Sequence, residues 1–146
     1  MADYLIPVWN EYDAIPVDVA PAVTETYKVN FDMTPATGHI DGLAALKQSI
    51  FCALLTERFW FEIYSFDYGI EIVEKIGKIP DDWIRLQIQK SICECLEQDD
   101  RITDVYDFSF ERNKNDVLCR FRVDSTVGAI NIMADWWGDT LRVTYI

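Results

Sequence analysis

The sequence predicts an α+β fold: a mixed or antiparallel sheet with about three helices, preceded by an extended N-terminal arm. Three observations carry that expectation. Apolar residues recur at spacings of three and four over Leu43, Leu46, Ile50 and Leu54, and again over Ile84, Ile88, Ile92, Cys95 and Leu96, each set forming one face of a helix. From Ile102 onward the apolar period changes to two, the signature of strands. Three prolines and an excess of acids set residues 1–25 apart, leaving residues 26–146 as one domain.

Taken in order, residues 1–25 contain Pro7, Pro16 and Pro21, no Lys or Arg, and scattered apolar residues such as Leu5, Ile6, Trp9 and Ile15. Proline removes backbone donors, and no helical period is present, so the segment reads as an arm lying along its own domain or a neighbour. Tyr27, Val29, Phe31 and Met33 alternate with Lys28, Asn30 and Asp32, which predicts a half-buried strand. A turn at Pro35-Ala36-Thr37-Gly38 follows, with His39 as a solvated turn residue. Asp41 reads as the N-cap of the first helix, which ends near Thr56. Gly69 to Ile76 reads as a short helix stopped by Gly77, and Pro80-Asp81-Asp82 opens the next, because acids suit the positive end of a helix. Arg85, Gln89, Lys90 and Glu97 face outward from it. Val105, Phe108 and Phe110 pair with Val117, Cys119, Phe121 and Val123 as a β-hairpin around Asn113-Lys114-Asn115-Asp116. The turn at Ser125-Thr126-Val127-Gly128 leads to a strand over Ala129 to Met133. Trp136-Trp137-Gly138-Asp139 makes a turn, and Leu141 to Ile146 forms the last strand.

Between the two long helical patterns lies a stretch unlike an ordinary connection. Phe59, Trp60, Phe61, Tyr64, Phe66 and Tyr68 crowd around an adjacent Glu57-Arg58 pair. Loops are normally polar, because exposed apolar area costs about 25 cal/mol per Å² relative to burial. These rings therefore complete the core or form a partner surface.

The whole chain excludes several classes of function. Its 146 residues carry 25 acids against 13 bases, a net charge of −12, which argues against nucleic acid and against an anionic membrane as partners. No apolar run reaches the length of a membrane-spanning helix, and the N-terminus lacks the form of a signal peptide, so a soluble cytoplasmic product is expected. Cys93 and Cys95 lie two apart on a predicted helix, about 200° around its axis, which is no ligand pattern; free thiols are expected for them and for Cys52 and Cys119. With one histidine and no G-x-S-x-G, neither nucleophilic catalysis nor a cofactor site is expected.

Four segments carry a family resemblance: TYKVNFD (Thr26 to Asp32), IDGLAALKQSIFCALLTER (Ile40 to Arg58), IYSFDYGIEI (Ile63 to Ile72) and QDDRITDVYDFSF (Gln98 to Phe110). Together they resemble the PBSX-type prophage tail proteins, a family similar to the small baseplate wedge subunit of contractile tails that once carried a lysozyme-like label. The most specific pieces are Thr56-Glu57-Arg58, Tyr64-Ser65, Tyr68-Gly69 and Asp99-Asp100-Arg101-Ile102. Distant branches place a proline shortly before the glycine; here Ser65-Phe66 stands in that region.

The resemblance implies a structural wedge subunit of a contractile tail or tail-like injection particle, assembled in the cytoplasm. It implies docking to larger baseplate wedge proteins, contact with central hub or tube proteins, and initiation of the sheath. The residues expected to meet partners are Glu57, Arg58, Tyr64, Tyr68 and Gly69 in the aromatic stretch, and Leu141, Val143 and Tyr145 in the last strand. Glu57 and Arg58 either pair with each other at the helix end or, as the resemblance implies, pair across a subunit boundary. Asp99-Asp100-Arg101 reads either as a cap and turn or as a partner contact. The competing classes are a tail-associated peptidoglycan hydrolase using Glu57, Glu62 or Asp67, and a regulatory binding domain unrelated to tails. Against the hydrolase, Arg58 beside Glu57 would keep that carboxyl ionised and unfit as a general acid.

Overall fold

A computed structural model describes residues 24–30, 35–71, 81–113, 116–137 and 140–146. The expected arm up to residue 23 lies outside the described residues. Two helices pack on one four-stranded sheet. Helix α1 (Gly42–Leu55) begins at Asp41, whose carboxylate accepts the Gly42 N–H at 2.6 Å and the Thr24 hydroxyl, and ends at Thr56, whose hydroxyl bonds the Cys52 carbonyl at 2.7 Å. Helix α2 (Asp81–Leu96) buries Ile84, Ile88, Ile92, Cys95 and Leu96, the stripe read from the sequence, and exposes Arg85, Gln89 and Lys90.

The sheet runs β3 (Ile102–Asn113), β4 (Asp116–Ser125), β5 (Gly128–Trp137) and β6 (Thr140–Tyr145), each antiparallel to the next. Val117, Cys119, Phe121 and Val123 on β4, and Ile130, Ile132, Ala134 and Trp136 on β5, point to the helices and join Leu46, Ile50, Ile88 and Ile92 in one core. Each such aliphatic is worth about 1.5–3 kcal/mol when fully buried, far more than a helix gains from propensity, so the sheet holds the helices in place. The opposite face is polar: Arg120 bonds Glu111, and Arg122 lies 3.6 Å from Asp124 and over the Tyr106 ring.

On β3 the apolar positions change parity, from Val105 to Phe108 and Phe110. Asp107, at φ 60°, is the reason. Between Tyr106↔Arg122 and Ser109↔Arg120 the strand β3 advances one residue more than β4, so a bulge restores Phe108 and Phe110 to the core side.

Four expectations need correction. The strand expected over residues 26–33 is reduced to β1 (Thr26–Tyr27), paired with β2 (His39–Ile40), and Tyr27 and Val29 are exposed. Gln48 explains this: its side-chain amide accepts the Val29 N–H and donates to the Tyr27 carbonyl, both at 2.9 Å, so β1 is held by its edge and not by a buried face. Residues 31–34 lie outside the described residues. Second, the described residues contain two helices, not about three: Ile70 is bridged to Glu57, which takes the proposed helix start into extended pairing, and residues 72–80 lie outside the described residues. Third, Trp136 and Trp137 are not a turn but the end of β5, because Trp136 fills the core. Fourth, that strand is longer than Ala129 to Met133.

The turn after α2 resolves as a cap within the chain. Arg101 grips Asp99 with two side-chain bonds of 2.8 and 2.6 Å, and Ser49 of α1 donates to the same carboxylate at 3.3 Å. The Arg101 guanidinium holds the Asp99 carboxyl below its ordinary value. A depressed folded-state value means that the stabilisation is fully present above the unfolded value and is lost as pH falls through the folded one. Asp99→Asn is therefore expected to lower the melting temperature at neutral pH and to flatten its decline in acid. Melts from pH 7 to pH 2 check this, and an unchanged acid profile would count against it.

Candidate functional site

The aromatic stretch is a loop closed at its neck. The Ile70 N–H donates to the Thr56 carbonyl at 2.9 Å and the Arg58 N–H to the Ile70 carbonyl at 3.0 Å, giving the parallel bridge Glu57↔Ile70. Gly69 makes the neck possible. Its φ is 95°, and a Cβ placed there would lie 2.6 Å from the Thr56 carbonyl oxygen and 3.1 Å from the Arg58 nitrogen. Inside the loop, successive turns run from Trp60 N–H to Glu57, Tyr64 N–H to Phe61 and Tyr68 N–H to Ser65.

Arg58 does not pair with Glu57. Its side chain, 12% exposed, donates through Nε to the Gly69 carbonyl at 3.2 Å and lies 3.6 Å from Glu94 on α2. Nothing in the local sequence marks Glu94 as this partner, since the two are far apart in the chain and Glu94 also lies 3.5 Å from Lys90. Arg58→Ala is expected to cost about 2 kcal/mol, because it leaves a buried carbonyl without its charged donor. Glu94→Gln is expected to cost less than about 1 kcal/mol, since that carboxylate is half exposed. Urea unfolding of both variants checks the order; equal losses would transfer the weight to the ion pair.

The loop presents its rings outward. Phe59, Trp60, Phe61, Ile63, Tyr64 and Phe66 are all exposed, Trp60 at 71% and Phe66 at 83%. Their rings meet in two groups: Tyr64 stacks on Tyr68 at 4.6 Å and Phe61 meets Tyr64 edge-on at 6.1 Å, while Phe59 lies 6.2 Å from Phe66. Tyr68 alone turns inward against the core, where burial pushes its hydroxyl up. Glu62 and Asp67 are exposed and Glu57 is half buried.

The second group of expected partner residues sits on β6. Leu141, Val143 and Tyr145 face the helices, Val143 within the core, and the Tyr145 hydroxyl donates to the Lys47 carbonyl of α1 with the Lys47 ammonium 5.4 Å from its ring. Their side chains are therefore packing groups. Their backbones are not so committed. The Ile146 N–H bonds the Asn131 carbonyl at 3.0 Å, and the register Ile132↔Tyr145 to Trp137↔Thr140 is unbroken, so alternation directs the N–H and C=O groups of residues 141, 143 and 145 away from β5. β6 is an edge strand, and these groups line its open side.

The cysteines are free, and burial pushes the Cys95 thiol up to about 11 and the Cys119 thiol to about 12. Among the described residues no helix is long and apolar enough to cross a membrane.

Comparison with known proteins identifies the family, over a span that ends before β6. Residues 23–128 match the family described as contractile injection system sheath initiator. The chain is also similar to the phage-like element PBSX protein XkdS of Bacillus subtilis (strain 168), at 32% identity over 126 residues, which covers 84% of this chain and 89% of that protein. The matched span holds α1, the aromatic loop, α2 and the β3–β4 hairpin. The chain belongs to the contractile injection system sheath initiators, structural proteins of contractile tails, and within them to the PBSX-type prophage tail family.

Proposed function

We propose that this chain is a baseplate wedge subunit that docks to larger wedge proteins through the aromatic loop and offers the open edge of β6 to the first sheath subunit. Its neighbours in that reading include central hub or tube proteins, and it assembles in the cytoplasm before entering the particle. The observation that carries the sheath contact is the difference between the two edges of the sheet. β3 is interrupted by two register shifts and has Asp107 in a left-handed conformation, with Asp104 and Glu111 along it; bulges and charges are how proteins blunt an edge. β6 has no break, no proline and one charge, Arg142. An unprotected edge normally invites aggregation, whereas a regulated assembly uses it to accept one added strand. Particles from a strain lacking this chain are expected to have tubes without sheath, visible by electron microscopy. Sheathed tails in its absence would defeat the proposal.

A further inference from the structure

We infer that the aromatic loop is a preformed acidic knob that fits an apolar recess rimmed by Lys and Arg on the wedge partner. The inference rests on the docking role proposed above and specifies its chemistry. Three features support it. The loop is shaped before any partner arrives: its neck is pinned by the Glu57↔Ile70 bridge and by Arg58 to the Gly69 carbonyl. Phe59 is held at φ 69°, a conformation that L residues other than Asn, Asp and Gly rarely adopt and that persists only where the surroundings fix it. Second, six large apolar side chains are exposed within one short loop, and their rings meet in two groups, Phe59 with Phe66 and Phe61 with Tyr64 and Tyr68, so the exposed area is concentrated in one segment.

The third feature is charge. Residues 57–70 carry Glu57, Glu62 and Asp67 against one base, Arg58, and that base is turned inward on Gly69 and Glu94. The exposed charges set among the exposed rings are thus Glu62 and Asp67, both anionic. Complementary charge at a rim steers encounter and rejects wrong partners, and like charges placed together are repelled. The same logic disfavours a second copy of this chain, with its net charge of −12, as the occupant.

The test uses the full-length protein in the particle-producing host, with two variants that change exposed positions only. One is F59S/W60S/F66S, which removes three of the exposed rings; the other is E62K/D67K, which reverses the exposed charges. Both are expected to melt like the parent and both to lower the yield of complete tails, the charge reversal by about tenfold. Normal tails from the aromatic variant would defeat the docking role itself. Defective tails from the aromatic variant with normal tails from E62K/D67K would leave docking intact and overturn the basic rim. A purified parent that sediments as a dimer, dispersed by the aromatic variant, would overturn it in favour of a second copy.

Discussion

Gly69→Ala is expected to lower stability by about 2–4 kcal/mol and to release the aromatic loop from its neck. The strain has two sources. A non-glycine residue at φ 95° is in the left-handed half of backbone space, which costs about 1–2 kcal/mol. The added Cβ also meets the Thr56 carbonyl oxygen at 2.6 Å, and that oxygen is backbone, bonded to the Ile70 N–H at 2.9 Å. It cannot withdraw without breaking the bridge that closes the loop. For a chain of this length the loss corresponds to a melting temperature lower by about 10 °C. Hydrogen exchange at the Arg58 and Ile70 amides should accelerate, because both bonds of the neck are lost together, while the α2 amides keep their protection. A parent-like melt and unchanged exchange would mean that the neck tolerates a side chain and that Gly69 is not its cause.

The same region shows what the sequence could and could not convey. The crowding of Phe59, Trp60, Phe61, Tyr64 and Phe66 was visible as a departure from ordinary loop composition, and they are exposed. Their number could not separate core from surface, since that depends on how the chain enters and leaves the loop. The Glu57↔Ile70 bridge decides it, and a bridge between residues thirteen positions apart in an irregular segment has no periodic signal. Arg58 was legible as a residue needing a distant partner, because neighbours in a helix do not face each other; that the partner would be Glu94 depended on how α2 packs.

The helices and the hairpin were more readily legible, for a physical reason. The stripes on α1 and α2 and the alternation on β4 are local consequences of burying one face, and they survive without knowledge of neighbours. The regular alternation expected from Val105 through Phe110 overlooked the parity change at Asp107, which only the register of β3 against β4 reveals as a bulge. Tyr27 and Val29 copied the strand pattern without the burial, because Gln48 supplies to β1 the bonds that a neighbouring strand would otherwise make. Leu141, Val143 and Tyr145 carry two roles at once. Their side chains pack on the helices, while the direction of their backbone groups follows from the Ile146 to Asn131 bond, which the alternation of residue types does not encode.

That direction yields the sharpest expectation for sheath contact. Val143→Pro removes an N–H that points from β6 into the open, so the ladder with β5 survives; proline is tolerated on an edge strand in that orientation. The smaller ring fills most of the valine's place in the core, and the expected cost is about 1 kcal/mol. Thr144→Pro, one residue on, removes an N–H directed at β5 and sets a ring against that strand, for about 3 kcal/mol or more. The pair separates edge from fold, which truncation of the strand would not, since Val143 is part of the core and Tyr145 ties β6 to α1. If the first sheath subunit adds a strand to β6, particles made with the Val143→Pro protein carry a baseplate and a bare tube, although the purified protein melts within a few degrees of the parent. Thr144→Pro instead gives a destabilised chain that fails to enter the baseplate. Electron microscopy of the particles together with melts of the two proteins reads both outcomes. Full-length sheath on tails that contain the folded Val143→Pro protein would remove the β6 edge from sheath initiation.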